Sequence, residues 1–303
     1  MAEVHHFTHG AFNPIVSFLL AFLGSLLGLA CTVRARESHT RGRRARWLMI
    51  AAFAIGGAGI WLMHFMAMLG FDVPDSPIRY DLGLTLASAA MAVGTVGFGL
   101  FAVGFGPRTP QRILIGGVLT GAGVVAMHYT GMRGMRVAGV IHYDPALVAA
   151  SCVIAVVAAT VALWFTVTIK GWGPIIAAAA IMGVAVTGMH YTGMAAMRVE
   201  LWNDGRGHVA GLSPYVLLIP ITLLAAATLI GMAFSGLQAM MQEEFAAGTP
   251  IAAPSPGRHG AHAEQTWSIR ETEPVIPPAA AVDRLATSSA AAAATAGASR
   301  ART

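Results

Sequence analysis

Ile60-Trp-Leu-Met-His-Phe-Met-Ala-Met68 returns twice, as Val124-Val-Ala-Met-His-Tyr-Thr-Gly-Met132 and as Val186-Thr-Gly-Met-His-Tyr-Thr-Gly-Met194. The copies align without gaps, and their histidines, His64, His128 and His190, are 64 and 62 residues apart. Self-similarity at a fixed period marks a repeated structural unit. Each copy closes an apolar run, and a further apolar run separates it from the next copy. Each repeat is therefore read as a pair of membrane helices, with the motif at the end of the second. A two-helix period gives all three motifs the same direction across a bilayer.

Outward from the motifs, seven runs reach the roughly 20 apolar residues that a span requires. They are Pro14–Val33, Trp47–Gly70, Leu82–Val103, Ile113–Arg133, Pro145–Ile169, Pro174–Met197 and Tyr215–Leu237. Charges fall only at their ends, and the connectors carry the Gly, Pro, Asp and Arg of turns. Continuous rather than alternating hydrophobicity excludes a membrane β-barrel. The expected fold is an all-α integral membrane protein of seven transmembrane helices built from internal two-helix repeats. Composition agrees: of 303 residues, 56% are hydrophobic and 11% charged, against about 25% charge in soluble domains. That shortfall excludes a disordered chain and argues against a soluble enzyme. Thirty-five glycines suit closely packed membrane helices, with Gly56, Gly57, Gly59, Gly117, Gly121 and Gly123 expected at the contacts.

The net charge of +5 reads as topology rather than as a nucleic-acid footprint. Arg34, Arg36, Arg41, Arg43, Arg44 and Arg46 lie between the first two spans, the pattern of a cytoplasmic loop. Placing that loop inside puts 14 basic residues inside and 5 outside, or 9 against 5 without the tail. The N-terminus is then outside and the C-terminus inside. The first span is expected to be retained, because no positive residue precedes it and six Arg follow it. The domains expected are a short extracytoplasmic N-terminus (1–13), a seven-helix membrane domain (14–237) and a cytoplasmic tail (238–303). The tail's Ala, Pro, Ser and Thr bias predicts disorder. It shows no recognisable catalytic domain, so no enzymatic activity is expected. Cys31 and Cys152 fall on opposite sides of the bilayer, too far apart for a disulfide.

The motif histidines lie 15 to 17 residues beyond the starts of their runs, roughly 23 to 26 Å along their helices. All three imidazoles are thus expected in one shallow layer near the outer surface. On a helical wheel Met68, Met132 and Met194, four places on, share the face of the His. Met135 and Met197, seven places on, return to it, and Met63, Met127 and Met189 flank it. Gly131, Gly193 and Ala67, three places on, lie on the same side, where a small residue lets a neighbouring backbone approach. Thr130 and Thr192 are expected to bond back to their own helices. Histidine inside a membrane helix is costly and normally faces a partner or cavity. Imidazole binds copper, zinc and iron, and thioether sulfur selects Cu(I). The candidate ligands are therefore His64, His128, His190, Met63, Met127, Met189, Met68, Met132 and Met194, and the metal expected is copper. The plainer alternative is that each His bonds a neighbouring helix and each Met packs.

At these residues the chain resembles the MHYT domain family. Met127-His128-Tyr129-Thr130 and Met189-His190-Tyr191-Thr192 match the motif letter for letter, while Met63-His64-Phe65-Met66 keeps only Met-His. The resemblance runs from the first span to about Leu237. It implies a multi-pass sensory module of the bacterial inner membrane that holds copper through the motif Met and His residues. It also implies sensing of a diatomic gas, oxygen, carbon monoxide or nitric oxide. Such domains are often fused to cyclic-di-GMP enzymes, kinases or DNA-binding domains. This chain departs there, so a separate cytoplasmic signalling partner is expected, with the lipid bilayer as its surroundings and no nucleic acid.

Two other functions fit the residues. One is copper transport or handling, with His5, His6 and His9 capturing metal outside, although Met49 and Met91 are isolated in the inner half. The other is a haem-binding cytochrome using two of the histidines, which leaves the third motif unexplained. Asp72, Asp75, Asp81, Asp144, Glu200 and Asp204, with His142 and His208, are read as outer-loop residues.

Overall fold

The computed structural model describes residues 10–202, 208–217 and scattered positions from 219 to 234. All lie in the first of two units, Met1–Thr249 and Pro250–Thr303. The expectations for His5, His6 and His9, for Asp204 and for the tail fall outside the described residues. Among those described, six helices are long and apolar enough to cross a membrane. They are α1 (Phe12–Glu37), α2 (Arg41–Met68), α3 (Leu82–Phe105), α4 (Pro110–Gly134), α5 (Pro145–Thr168) and α6 (Trp172–Ala195). Of the seventh run only scattered helical residues are described, and Leu217 and Ile221 are buried in a cluster beside the motif ends.

Local chemistry sets the starts. Thr40 accepts from the amide of Arg43, Asp81 from Leu84, Thr109 from Arg112, and Asp144 from Ala146 and Leu147. Each satisfies amides that the first helical turn leaves bare. Pro110 and Pro145 begin α4 and α5, where a missing N–H costs nothing. Short connectors make successive helices antiparallel. Each helix packs on its sequence neighbour, and α6 returns to α1, so the six close into a ring of three pairs. The motif helices α2, α4 and α6 alternate around that ring.

Close approach is built in at glycine. A Cβ on Gly121 would meet the Val156 Cα at 2.6 Å, and one on Gly24 would meet the Gly59 nitrogen at 2.5 Å. Gly56, Gly117 and Gly123 are likewise crowded by neighbouring helices, whereas Gly57 makes only ordinary contact. The middle of α2, Phe53–Leu62, is π-helical. Its Gly56 and Gly59 face backbones on both sides, and the wide winding changes the angular register of everything after it, His64 included. Such segments cluster at functional sites.

The connectors beyond the motifs are more than turns, which corrects the purely α-helical expectation. Strands β1 (Arg79–Tyr80), β2 (Met135–Arg136), β3 (Gly139–Tyr143) and β4 (Met197–Leu201) form two antiparallel pairs, β1 with β2 and β3 with β4. Arg79 lies opposite Arg136, and His142 opposite Arg198. Met135 and Met197 therefore sit in strands rather than on a continued helical face. Helices α4 and α6 have ended at Gly134 and Ala195. Both methionines are nonetheless buried. Cys31 and Cys152 are free thiols.

Candidate metal centre

Each motif histidine stands within two turns of the end of its helix, and the ring geometry turns all three inward. His64 Nδ1 lies 2.9 Å from His190 Nδ1 and 3.2 Å from His128 Nδ1. Ring centroids are 4.9 to 5.1 Å apart and the planes cross at 73 to 89°, like blades of a propeller. One ligand nitrogen from each ring lies within 4.8 Å of the other two. The three motifs therefore build one centre. Around a single ion with bonds of about 2 Å, three nitrogens stand roughly 3.3 to 3.5 Å apart. The separations of His64 Nδ1 from the other two rings lie within a few tenths of an ångström of that spacing.

The imidazoles are 1% exposed. They are thus sealed from water within the protein. Outside them the connectors close a cluster of Phe65, Phe71, Val73, Tyr80, Val137 and Val199. Met63, Met68, Met132 and Met194 belong to this outer layer, while Met127 and Met189 belong to the layer below. All six are buried. No ligand role for these thioethers follows from their burial alone.

Directly beneath the triad lies an apolar cavity of about 60 Å³. Ile60, Val124 and Val186, each four residues before a motif His, line it together with Ala155, Met182 and Met189.

The rings are positioned by packing. A Cβ on Gly131 would strike His64 Nε2, and one on Gly193 would strike His128 Nε2. Each of these glycines is thus a seat for the imidazole of the preceding repeat. The sequence had placed a neighbouring backbone there. Neither His64 Nε2 nor His128 Nε2 has a hydrogen-bond partner among the described residues. Phe65, Tyr129 and Tyr191 stand edge-on to the adjacent rings. Tyr129 also bonds Ser151 on α5 at 2.8 Å, and Tyr191 faces Ser17 on α1. In the first copy, where Phe65 has no hydroxyl, Trp61 donates to Ser88 on α3 instead. Thr192 bonds back to the Gly188 carbonyl as expected.

Converging nitrogens pose a proton problem. A hydrogen on His64 Nδ1 can point at one neighbour only, leaving the other lone pair facing it. A cation at the centre satisfies all three at once. The donor set therefore fits a metal ion, and no carboxylate or thiol joins it among the described residues.

The acidic residues act elsewhere. Asp81 pairs with Arg136 at 2.5 Å and Asp144 with Arg198 at 3.6 Å, each tying successive connectors together. These pairs recur at the repeat spacing, so the sequence carries their signal. Exposed His142 lies 3.5 Å from Glu200. In β3, burial and the neighbouring Tyr129 push the Tyr143 hydroxyl up to about 12. Burial likewise raises Tyr80.

Residues 57–117 and 121–179 match the family model MHYT, described as a bacterial signalling protein N-terminal repeat. These spans contain the first two motifs. The bifunctional diguanylate cyclase/cyclic di-GMP phosphodiesterase MucR of Pseudomonas aeruginosa is 39% identical over 240 residues, covering 76% of this chain and 34% of that protein. The cyclic di-GMP phosphodiesterase NbdA of the same organism is 35% identical over 189 residues, 60% of this chain and 24% of its own length. Signaling protein YkoW of Bacillus subtilis is 29% identical over 198 residues, 63% and 24% respectively. The chain thus spans about a third or less of these relatives. No solved structure matches it.

Proposed function

Over residues 57–179 the chain belongs to the MHYT family of bacterial signalling repeats, and from that premise we propose that it is a copper-holding membrane sensor of a diatomic gas. The observation that carries the reading is the triad of buried imidazoles whose Nδ1 atoms converge from three repeats. Copper held as Cu(I) would supply a coordination position for the gas.

The donors are all neutral, and the cost of burying an ion grows with the square of its charge. A site with no carboxylate therefore favours a monovalent cation over a divalent one. The buried Met68, Met132 and Met194, with Met63, Met127 and Met189, would offer soft further donors of the kind Cu(I) selects. Gly131 and Gly193 hold the rings in place, and the connector cluster excludes water. The cavity lined by Ile60, Val124 and Val186 is apolar, and such cavities stay dry and admit apolar guests. Because α2, α4 and α6 each bring one ligand, occupancy at the centre bears on their relative positions. Signalling further requires that the gas bind two arrangements with different affinity. A cytoplasmic partner, in the bacterial inner membrane setting, would read the change.

Haem fits less well. Two axial imidazoles on opposite faces of one iron hold their nitrogens about 4 Å apart, twice a bond of about 2 Å, with the macrocycle between them. The His64 nitrogen lies 2.9 and 3.2 Å from those of His190 and His128, which leaves no room for a macrocycle between either pair.

The test is metal analysis of purified protein, with infrared spectroscopy under carbon monoxide. Stoichiometric copper, lost when His64, His128 and His190 are all replaced by Ala, and a carbonyl band in the reduced protein are expected. Equal copper in both proteins, or an intense Soret band, refutes the copper reading. A copper-loaded protein without a carbonyl band refutes the gas reading.

A further inference from the structure

At the opposite end of the bundle from the histidines, three guanidinium groups meet in one cleft. Arg36 at the end of α1, Arg44 in the first turn of α2 and Arg108 between α3 and α4 line it, with Thr32, Leu48 and Thr166. Arg36 is already engaged, donating to the Thr166 and Ile169 carbonyls at the end of α5. The other two are not. Arg44 Nε is buried without a hydrogen-bond partner, and exposed Arg108 joins no ion pair among the described residues. Glu37, next to Arg36 in the chain, forms no ion pair with it among the described residues. Three like charges around a cleft with no carboxylate call for an anion with several acceptor oxygens, and guanidinium forks match phosphate.

The side chains exposed at this end of the bundle point to where that phosphate comes from. On the helices that line it, Met49, Ile50, Phe53 and Phe105 are exposed apolar side chains, and Trp164 near the end of α5 and Trp172 at the start of α6 are exposed as well. Such a rim of indoles over an apolar belt marks the level of lipid headgroups. Basic pockets between membrane helices at that level bind anionic headgroups. We propose that the Arg36–Arg44–Arg108 cleft binds the phosphate of an anionic phospholipid headgroup. The bound lipid bridges α1, α2 and the α3–α4 connector, and through Arg36 the end of α5. The proposal stands independently of any metal at the histidines.

The test is native mass spectrometry of the full chain released from nanodiscs of equal phosphatidylglycerol and phosphatidylcholine. The wild type is expected to retain one phosphatidylglycerol in preference to phosphatidylcholine. Retention should fall at least about tenfold, the loss of one strong charge-assisted contact, in Arg108→Gln and in the Arg44→Gln, Arg108→Gln double variant. Arg133→Gln, at the motif end, should leave it unchanged. Because Arg108 is exposed, Arg108→Gln decides the matter if the double variant does not fold. Equal retention in wild type and Arg108→Gln, or equal retention of the two lipids, overturns the proposal. Displacement of the lipid by millimolar inorganic phosphate also overturns it, since the site would then serve free phosphate.

Discussion

Gly193→Ala should empty the metal centre while leaving the helix that carries it intact. A Cβ at this position would lie 3.1 Å from His128 Cδ2 and 3.2 Å from Cε1, with Nε2 between them closer still. Comfortable separation is about 3.5 to 4 Å, so the ring must withdraw by about 1 Å. It retreats toward its Nδ1 side, where His64 Nδ1 is already 3.2 Å away. No room exists there, and the imidazole must rotate out of the triad. Overpacking of this kind costs roughly 1 to 3 kcal/mol, but alanine regains up to about 1 kcal/mol of helix propensity. Thermal stability is therefore a weak readout and metal affinity a strong one. Removing an outer-shell partner of a ligand costs about 10- to 100-fold in affinity, so displacing a ligand itself should cost at least about 100-fold. The control is Gly188→Ala on the same helix, where an added Cβ meets nothing within 4 Å. Competition against a chromophoric Cu(I) chelator measures both. If the two variants hold copper equally well, the glycine is no seat and His128 is no ligand.

Alkaline titration should destabilise the fold. Tyr143 ionises near its ordinary value of 10 when unfolded but near 12 when folded, so its contribution is complete below pH 10 and is lost as pH rises toward 12. Tyr143→Phe should flatten that limb of a stability-versus-pH curve, and an unchanged curve counts against the burial described. Gly121→Val places a side chain against the Val156 backbone, 2.6 Å from its Cα. Separation of α4 from α5 should lower the unfolding temperature by several degrees or prevent folding, and wild-type unfolding temperature would contradict the packing. Asp81→Ala removes the α3 cap and the Arg136 pair together. A loss of about 1 kcal/mol is expected, mostly from the cap, because the exposed ion pair contributes little. Asp81→Asn, which keeps a capping oxygen, should recover most of it in the same unfolding assay.

The spans were readable because a bilayer imposes one length on every helix, and the six described helices overlap the first six runs. The spacing of His64, His128 and His190 also announced a shared layer. What the spacing could not convey is convergence, which depends on α6 closing against α1 and turning alternate helices inward. Burial is not legible for a related reason: the seal over the rings comes from connectors whose sequence has the residues of turns. Met197-Arg-Val-Glu-Leu201 does alternate apolar and polar residues, yet it abuts an apolar run whose helical signal hid it. The π-helical stretch Phe53–Leu62 carries three glycines as its only trace. The glycine after each Tyr-Thr was placed on the correct face, but the wheel described one helix and could not reveal that an imidazole from another repeat sits against it.

One ligand per helix pair also dictates when the centre can exist during biosynthesis. His64 and His190 face each other across 126 residues of chain, and α6 is the last of the six described helices to be made. Earlier pairs can enter the bilayer as hairpins, but each brings a single imidazole and neither can hold an ion tightly alone. A metal taken up there would bind late, and its binding energy would accrue to the completed ring. A nascent chain stopped after α4 would carry two histidines and no centre, so loading reports that the last pair has been delivered.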